Sequence, residues 1–131
     1  MDVKMNEATN NRPQGDRLIA APHVFINLQS YIKQLKSEEA WQKNDRNAIT
    51  VFKTEGVTVV VVAMHANAEI NDNVVNGILT LQVLEGSVEV VVNGTTESIS
   101  QRQMLAIERQ VSHHIKATED SFLLLTINGK E

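Results

Sequence analysis

Cysteine is absent from this 131-residue chain. Disulfides, thiolate chemistry and zinc sites built on cysteine sulfur are therefore excluded. The absence fits a reducing cytosol, so a cytoplasmic location is expected. A basic excess is missing as well: the formal net charge is −4, which leaves no electrostatic footprint for nucleic acid. No run of about 18 apolar residues occurs, so no membrane-spanning helix is expected. The opening stretch MDVKMNEATNNRPQGDR has no apolar core of the kind a signal peptide carries. The glycines stand singly, so there is no phosphate-cradling loop. No serine sits in an elbow-like turn, no Ser/His/Asp arrangement can be placed, and no pair of carboxylates stands out.

What is present is an ordinary globular composition, 42% hydrophobic and 21% charged, in a length suited to one domain. The most informative stretch is Ile78–Gly94, ILTLQVLEGSVEVVVNG. Leu79, Leu81 and Val83 alternate with Thr80 and Gln82, the period of a strand with one buried face. Glu85-Gly86 breaks the run and reads as a tight hairpin turn, with glycine supplying a positive φ. Val88, Val90 and Val92 continue beyond it, and Asn93-Gly94 is a second hairpin signal.

The remaining chain is mostly strand from Ala48 onward. Ala48–Lys53 alternates, and Val57–Met64 (VTVVVVAM) is apolar on both sides, so both of its faces need cover. Ala66–Gly77 reads as irregular. Glu97–Ser100, Met104–Ile107, Val111–Ala117 and Phe122–Asn128 follow as short strands. Many short strands separated by turns, with no βαβ alternation, indicate an all-β sandwich or closed barrel.

Before the strands, residues 1–22 are expected as a flexible tail, with a binding arm as the alternative. Residues 23–47 are expected as a helix and linker packed on the barrel domain of residues 48–131. Val24–Ile26 could add an edge strand. Asn27 suits an N-cap, and Leu28, Tyr31, Ile32 and Leu35 fall on one helical face ending near Lys36-Ser37. Ile26 and Tyr31 are placed for a hydrophobic staple. Trp41, the single tryptophan, is expected to plug the seam between helix and sheet, with ligand stacking as the alternative.

Two segments resemble a known family. Ile78–Gly94 resembles motif 1 of the small single-domain cupins, and SQRQMLAIERQVSHHIKATEDSFLLL, residues 100–125, resembles motif 2. With the preceding strand Val57–Met64, the resemblance spans roughly residues 48–128. It implies a jelly-roll β-barrel (the cupin double-stranded β-helix) with one short N-terminal α-helix, commonly dimeric. It also implies a central metal, held by an HxH pair and a Glu in motif 1 and a His in motif 2. Such a set suits Fe(II), Mn, Ni or Zn. The motif 1 Glu position, seven residues before Gly86, is occupied by Leu79. The two His positions fall within Asp72 to Val75, with Asn73 where this subfamily keeps a His. The motif 2 His is retained as His113, while the motif 2 proline and glycine fall on Glu108 and Gln110.

One strong ligand of four does not make the family's site, so no metal or other cofactor is expected. A reduced set of His113, Asp72 and His65 is the alternative for a divalent transition metal. Alternation puts His113 and His114 on opposite faces, so His114 is expected at the surface or an interface. His65 is expected at the barrel rim. If Leu79 points inward, so do Leu81 and Val83, with Val88, Val90, Val92, Ile115 and either Met104 or Leu105 completing an apolar lining. Asn73, His113 and either Asp72 or Gln82 would form a polar cluster at the mouth. The candidate ligand-binding residues are therefore His113, Asn73, Gln82, Leu79, Leu81 and Trp41.

The function expected is a metal-free barrel that binds or senses a small molecule. A metal-dependent enzyme of dioxygenase or isomerase type is one alternative, and an assembly unit with a filled barrel is another. A homodimer is expected, because one helix leaves part of Val57–Met64 and the outward Phe122 and Leu124 to be covered. No nucleic-acid or membrane partner is expected.

Overall fold

The computed structural model describes residues 4–9, 12 and 17–129, with the side chain of Asp72 outside that description. Eleven strands and two helices fall within it. Five strands, β3 (Arg46–Lys53), β4 (Val57–Met64), β11 (Ser121–Asn128), β6 (Ile78–Glu85) and β9 (Met104–Ile107), form one sheet in that spatial order. Four more, β5 (Glu69–Asn73), β10 (His113–Ala117), β7 (Ser87–Val92) and β8 (Thr95–Ser100), form the second. Every pairing in both sheets is antiparallel. The jelly-roll barrel expected from the strand pattern is the observed fold.

The facing surfaces of the two sheets enclose the main core. Leu79, Leu81 and Val83 of β6 meet Val88 and Val90 of β7, Ile115 of β10, Leu123 of β11 and Ile107 of β9 in one buried cluster. The inward set is the alternate residues of each strand, as a pleated sheet requires. Met104 is 57% exposed, and Leu105 packs on the cluster instead.

Gly86 does not make a hairpin. Strands β6 and β7 belong to different sheets, β6 pairing with β11 and β9 and β7 with β10 and β8. Gly86, at φ +91°, turns the chain from one sheet to the other. It passes so close to the next corner that a Cβ there would strike Ser121 Oγ and the Asp120 carbonyl. The local signal for a turn was right, and its partner strands were not, because pairing is decided by long-range packing. Asn93 and Gly94 do close the β7–β8 hairpin, at φ 50° and 78°. Two positive φ values in a two-residue loop define the type I′ turn that matches strand twist.

The outer face of the five-stranded sheet carries a second cluster. Helix α1 (Leu28–Ser37) is capped by Asn27, whose side chain accepts from the Ser30 N–H at 3.2 Å. Its Ile32 and Leu35 bury against Ile49, Val51, Val61, Ala63 and Phe122. A second helix, α2 (Glu39–Lys43), follows directly and was hidden in the sequence by its shortness and polarity. Strand β4 therefore has both faces used: Val62 and Met64 face the barrel, Val61 and Ala63 the helices. Part of the cover for which a partner subunit was expected thus comes from α1 and α2.

The N-terminal region also departs from expectation. Val24–Ile26 forms no strand, and the described part of the tail is ordered onto the domain. β1 (Lys4–Asn6) pairs with β2 (Arg17–Ala20), and Ile19, Ala20 and Ala21 are buried. Residues 1–3, 10, 11 and 13–16 of that expected tail lie outside the described residues. Between β1–β2 and the start of β3 lies a cleft of about 580 Å³, lined by residues that include Met5, Arg12, Arg17, Glu38 and Asn47.

The polar network under this segment joins Arg12, Gln34, Glu38 and Asn47. Arg12 Nε and Nη2 donate to the Glu38 carboxylate at 2.9–3.1 Å. Asn47 Nδ2 donates to Glu38 Oε1 at 3.0 Å and to the Leu35 carbonyl at 3.1 Å, and Gln34 adds a donor to Glu38 Oε2 at 3.1 Å. Burial alone would push the Glu38 carboxyl upward, but the hydrogen bonds from Arg12, Asn47 and Gln34 outweigh it and hold the group below the ordinary carboxylate range.

Two predictions follow from these contacts. Gly86→Ala should cost about 3 kcal/mol by denaturant unfolding, since it combines a left-handed φ with a backbone collision, while Gly56→Ala should stay within about 0.5 kcal/mol. Because Glu38 titrates lower folded than unfolded, its stabilisation is present above the ordinary carboxylate value and is lost as pH falls through the depressed one. Amides of Ile19 and Ala20 should therefore lose exchange protection in acid, and Glu38→Gln should remove that pH dependence.

Candidate functional site

Three strands converge on the one fully buried imidazole. His113 opens β10, opposite Val92 of β7 on one side and Asn73 of β5 on the other. It is 2% exposed. Its Nδ1 lies 3.3 Å from the Val111 carbonyl, and its Nε2 lies 3.4 Å from Asn73 Nδ2. A carbonyl can only accept, so Nδ1 carries the hydrogen and the Nε2 lone pair receives the Asn73 amide. The half-buried side chains of Val75, Val92 and Val111 pack against the barrel core; Val92 is the strand partner of His113, and the Val111 carbonyl meets its ring. Gln110, at φ 58°, carries the turn before β10 and donates its N–H to the Val75 carbonyl at 3.2 Å.

The other histidines are elsewhere. His114 faces outward and meets Glu69 Oε1 at 2.7 Å, in keeping with the surface position expected from alternation. His65 follows β4 and stacks on the Trp41 ring with centroids 3.5 Å apart. Its Nε2 reaches the Trp41 carbonyl at 2.7 Å and its Nδ1 lies 3.4 Å from Asp120 Oδ1. Trp41 in turn lies 5.6 Å from Phe122 by ring centroids, in the outer cluster beneath the helices. His65 and Trp41 thus occupy the seam between α2 and the sheet, on the opposite side of that sheet from the barrel core. Trp41 lies in the seam expected for it and stacks on His65, away from the barrel core.

Three further candidates change place or role. Gln82 pairs across from Leu124 and Met104 and alternates with the inward Leu81 and Val83, so it faces away from the barrel. Leu79 and Leu81 do point inward, but they are packed core at 1% and 0% exposure, not the wall of an open pocket. The side chain of Asp72 lies outside the described residues. Asn73 and His113 are the two candidates that the fold brings together. Sequence reasoning missed the buried group of Arg12, Glu38 and Asn47, because its members come from three separate segments and share no motif.

The donor set does not fit the metal that the motif resemblance implies. The carboxylate position holds Leu79, sealed among aliphatic side chains. The retained imidazole presents its second nitrogen to an amide. His65 is engaged on the far side of the sheet. Among the described residues, no three His, Asp or Glu side chains are grouped to hold a metal ion. Among the described side chains, the contacts of the His113 ring are the hydrogen bonds to the Val111 carbonyl and to Asn73.

Comparison with known proteins places the architecture. No protein-family model matches the sequence, and no curated protein matches it. Solved structures do match in fold. A conserved protein of unknown function from Streptococcus pyogenes, SPY1581, superposes with a TM-score of 0.65 at 16% identity, over 96% of this chain and 97% of that one. A cupin superfamily protein from Desulfitobacterium hafniense gives 0.68 at 9% identity, over 86% and 95%. Salicylate 1,2-dioxygenase from Pseudoaminobacter salicylatoxidans, as its G106A mutant, gives 0.72 at 17% identity, over 84% of this chain but 36% of that longer one. The chain therefore carries the cupin fold, as a small domain of that type. At these identities the likeness is one of fold.

Two substitutions test the interior. Leu79→Ala should cost about 2–5 kcal/mol, the range for a truncated buried leucine. Leu79→Glu should destabilise at least as much and should not confer metal retention, measured by calorimetry and elemental analysis, because it buries a charge with no ligand set around it.

Proposed function

We propose that this chain is a metal-independent cupin barrel that binds a small amphipathic molecule at the end of the barrel beside His113 and Asn73. The observation that carries this reading is the replacement of a coordination centre by an aliphatic core. Leu79 seals the middle of the barrel, and the polar pair His113–Asn73 is left at its edge among Val75, Val92 and Val111. An apolar rim with a few fixed hydrogen-bonding groups is the usual make-up of a small-molecule site. The Asn73 amide carries a second N–H and a carbonyl oxygen, which can serve an incoming polar group once the His113 contact rearranges.

Relatives in fold include a protein of unknown function and a dioxygenase. The dioxygenase's chemistry is not taken over in this reading, because no three described His, Asp or Glu side chains are grouped to hold a metal ion. The assembly alternative draws support from the packed interior, and the same experiment separates it from ligand binding.

Protein purified without chelator should contain no stoichiometric iron, manganese, nickel or zinc. Titration with a panel of small neutral and anionic amphipathic compounds should shift the NMR signals of Asn73, Val92, Val111 and His113 saturably. Near-stoichiometric metal that disappears in His113→Ala would overturn the metal-free reading. A panel that moves none of these signals would favour the assembly role.

A further inference from the structure

The outer edge of β3 is closed in an unusual way. Among the described residues β3 ends the five-stranded sheet; β2 lies beside its outer edge without forming a hydrogen-bonded ladder with it. An open edge offers unpaired N–H and C=O groups to any passing strand. Here side chains answer them. The Ala48 N–H donates to Asn47 Oδ1 at 3.0 Å. The Ala48 carbonyl accepts from Arg12 Nη2 at 2.7 Å, and the Thr50 carbonyl accepts from Arg17 Nε at 2.7 Å. Both guanidinium groups belong to the N-terminal segment, and Arg12 is fixed by Glu38 and Asn47.

In an antiparallel strand a residue's N–H and C=O leave on the same side, and that side alternates along the chain. Ala48 and Thr50 share the free edge, with Ile49 between them directed to β4. An antiparallel copy of β3 centred on Ile49 sets Ala48 opposite Thr50 of the second chain and Thr50 opposite its Ala48. These are hydrogen-bonded pairs, so the carbonyls now held by arginine are the ones such a copy would engage. The arrangement is its own symmetry mate, as an isologous dimer requires. On the helix-covered face it brings Ile49 against Ile49, with Asn47 and Val51 as neighbours.

We propose that Arg12 and Arg17 are edge caps that block self-pairing of β3, and that release of the N-terminal segment exposes a strand-addition edge for a second copy of this chain. The device lies on the other face of the molecule's architecture from the His113 site and stands or falls independently of it. A charged side chain donating to an edge carbonyl satisfies that carbonyl without offering the alternating donor–acceptor ladder that would propagate a sheet. Removing the donors leaves two neighbouring carbonyls in search of partners.

The test uses full-length protein. The Arg12→Ala/Arg17→Ala double variant should associate one step beyond the parent protein by light scattering, doubling its mass at tens of micromolar. The Ala48 and Thr50 amides should become protected from hydrogen exchange by roughly tenfold or more relative to the parent. Adding Ala48→Pro, which removes an N–H on the free edge only, should return the mass to that of the parent. Should the double variant fail to fold, Arg17→Gln alone leaves the Arg12–Glu38 contact intact and reads the same two quantities. An unchanged mass in a folded variant overturns the proposal. So does association that leaves the Ala48 and Thr50 amides unprotected.

Discussion

The packing of β6 against β7 and β10 sets the terms for the rest of the molecule. Leu79, Leu81 and Val83 reach across the barrel to Val88, Val90 and Ile115, and each is almost wholly removed from water. Side chains alternate between faces, so a shift of one residue would turn this set to the outside and bring Thr80, Gln82 and Leu84 in. The cost of that exchange fixes the register of β6, and with it the register of β11 and β9 on either side. The position of His113 follows, because β10 pairs with β7 in a register that carries His113 to Val92 at the end of the strand.

Much of this was legible in the chain itself. The alternation in Ile78–Glu85 and Ser87–Val92, the two-faced strand Val57–Met64 and the Asn27-capped helix each depend on neighbours a few residues away. The parts that were not legible depend on distant contacts. Gly86 reads as a hairpin because a positive-φ glycine between two strands looks the same whether the strands pair or part. Strand β5 is polar and short, and it is held by β10, some forty residues further on. The N-terminal strands are similarly uninformative alone, since Arg12 and Arg17 find their acceptors on Glu38, Ala48 and Thr50. A charged, glycine-containing leader looks like a tail until those acceptors are known.

The candidate site shows the same division. His113 and Asn73 could be singled out by their place in the motifs, and the sheet brings them together through the β10–β5 register. The inward direction of Leu79 was likewise readable from alternation. Whether the inward aliphatic residues leave room was not readable, because that depends on how the chains opposite fill the space. In this barrel the inward side chains bury one another almost completely, leaving each at or near zero exposure. The binding site we propose therefore lies at one end of the barrel, beside His113 and Asn73.

The placement of Trp41 has an optical consequence. The only indole of the protein lies under the helices, stacked on His65 and next to Phe122, with a whole sheet between it and the barrel core. Its ultraviolet emission is therefore a gauge of how firmly α1 and α2 sit on the barrel. It carries almost no information about events at His113, so a compound could saturate the barrel mouth while the intrinsic fluorescence stays flat.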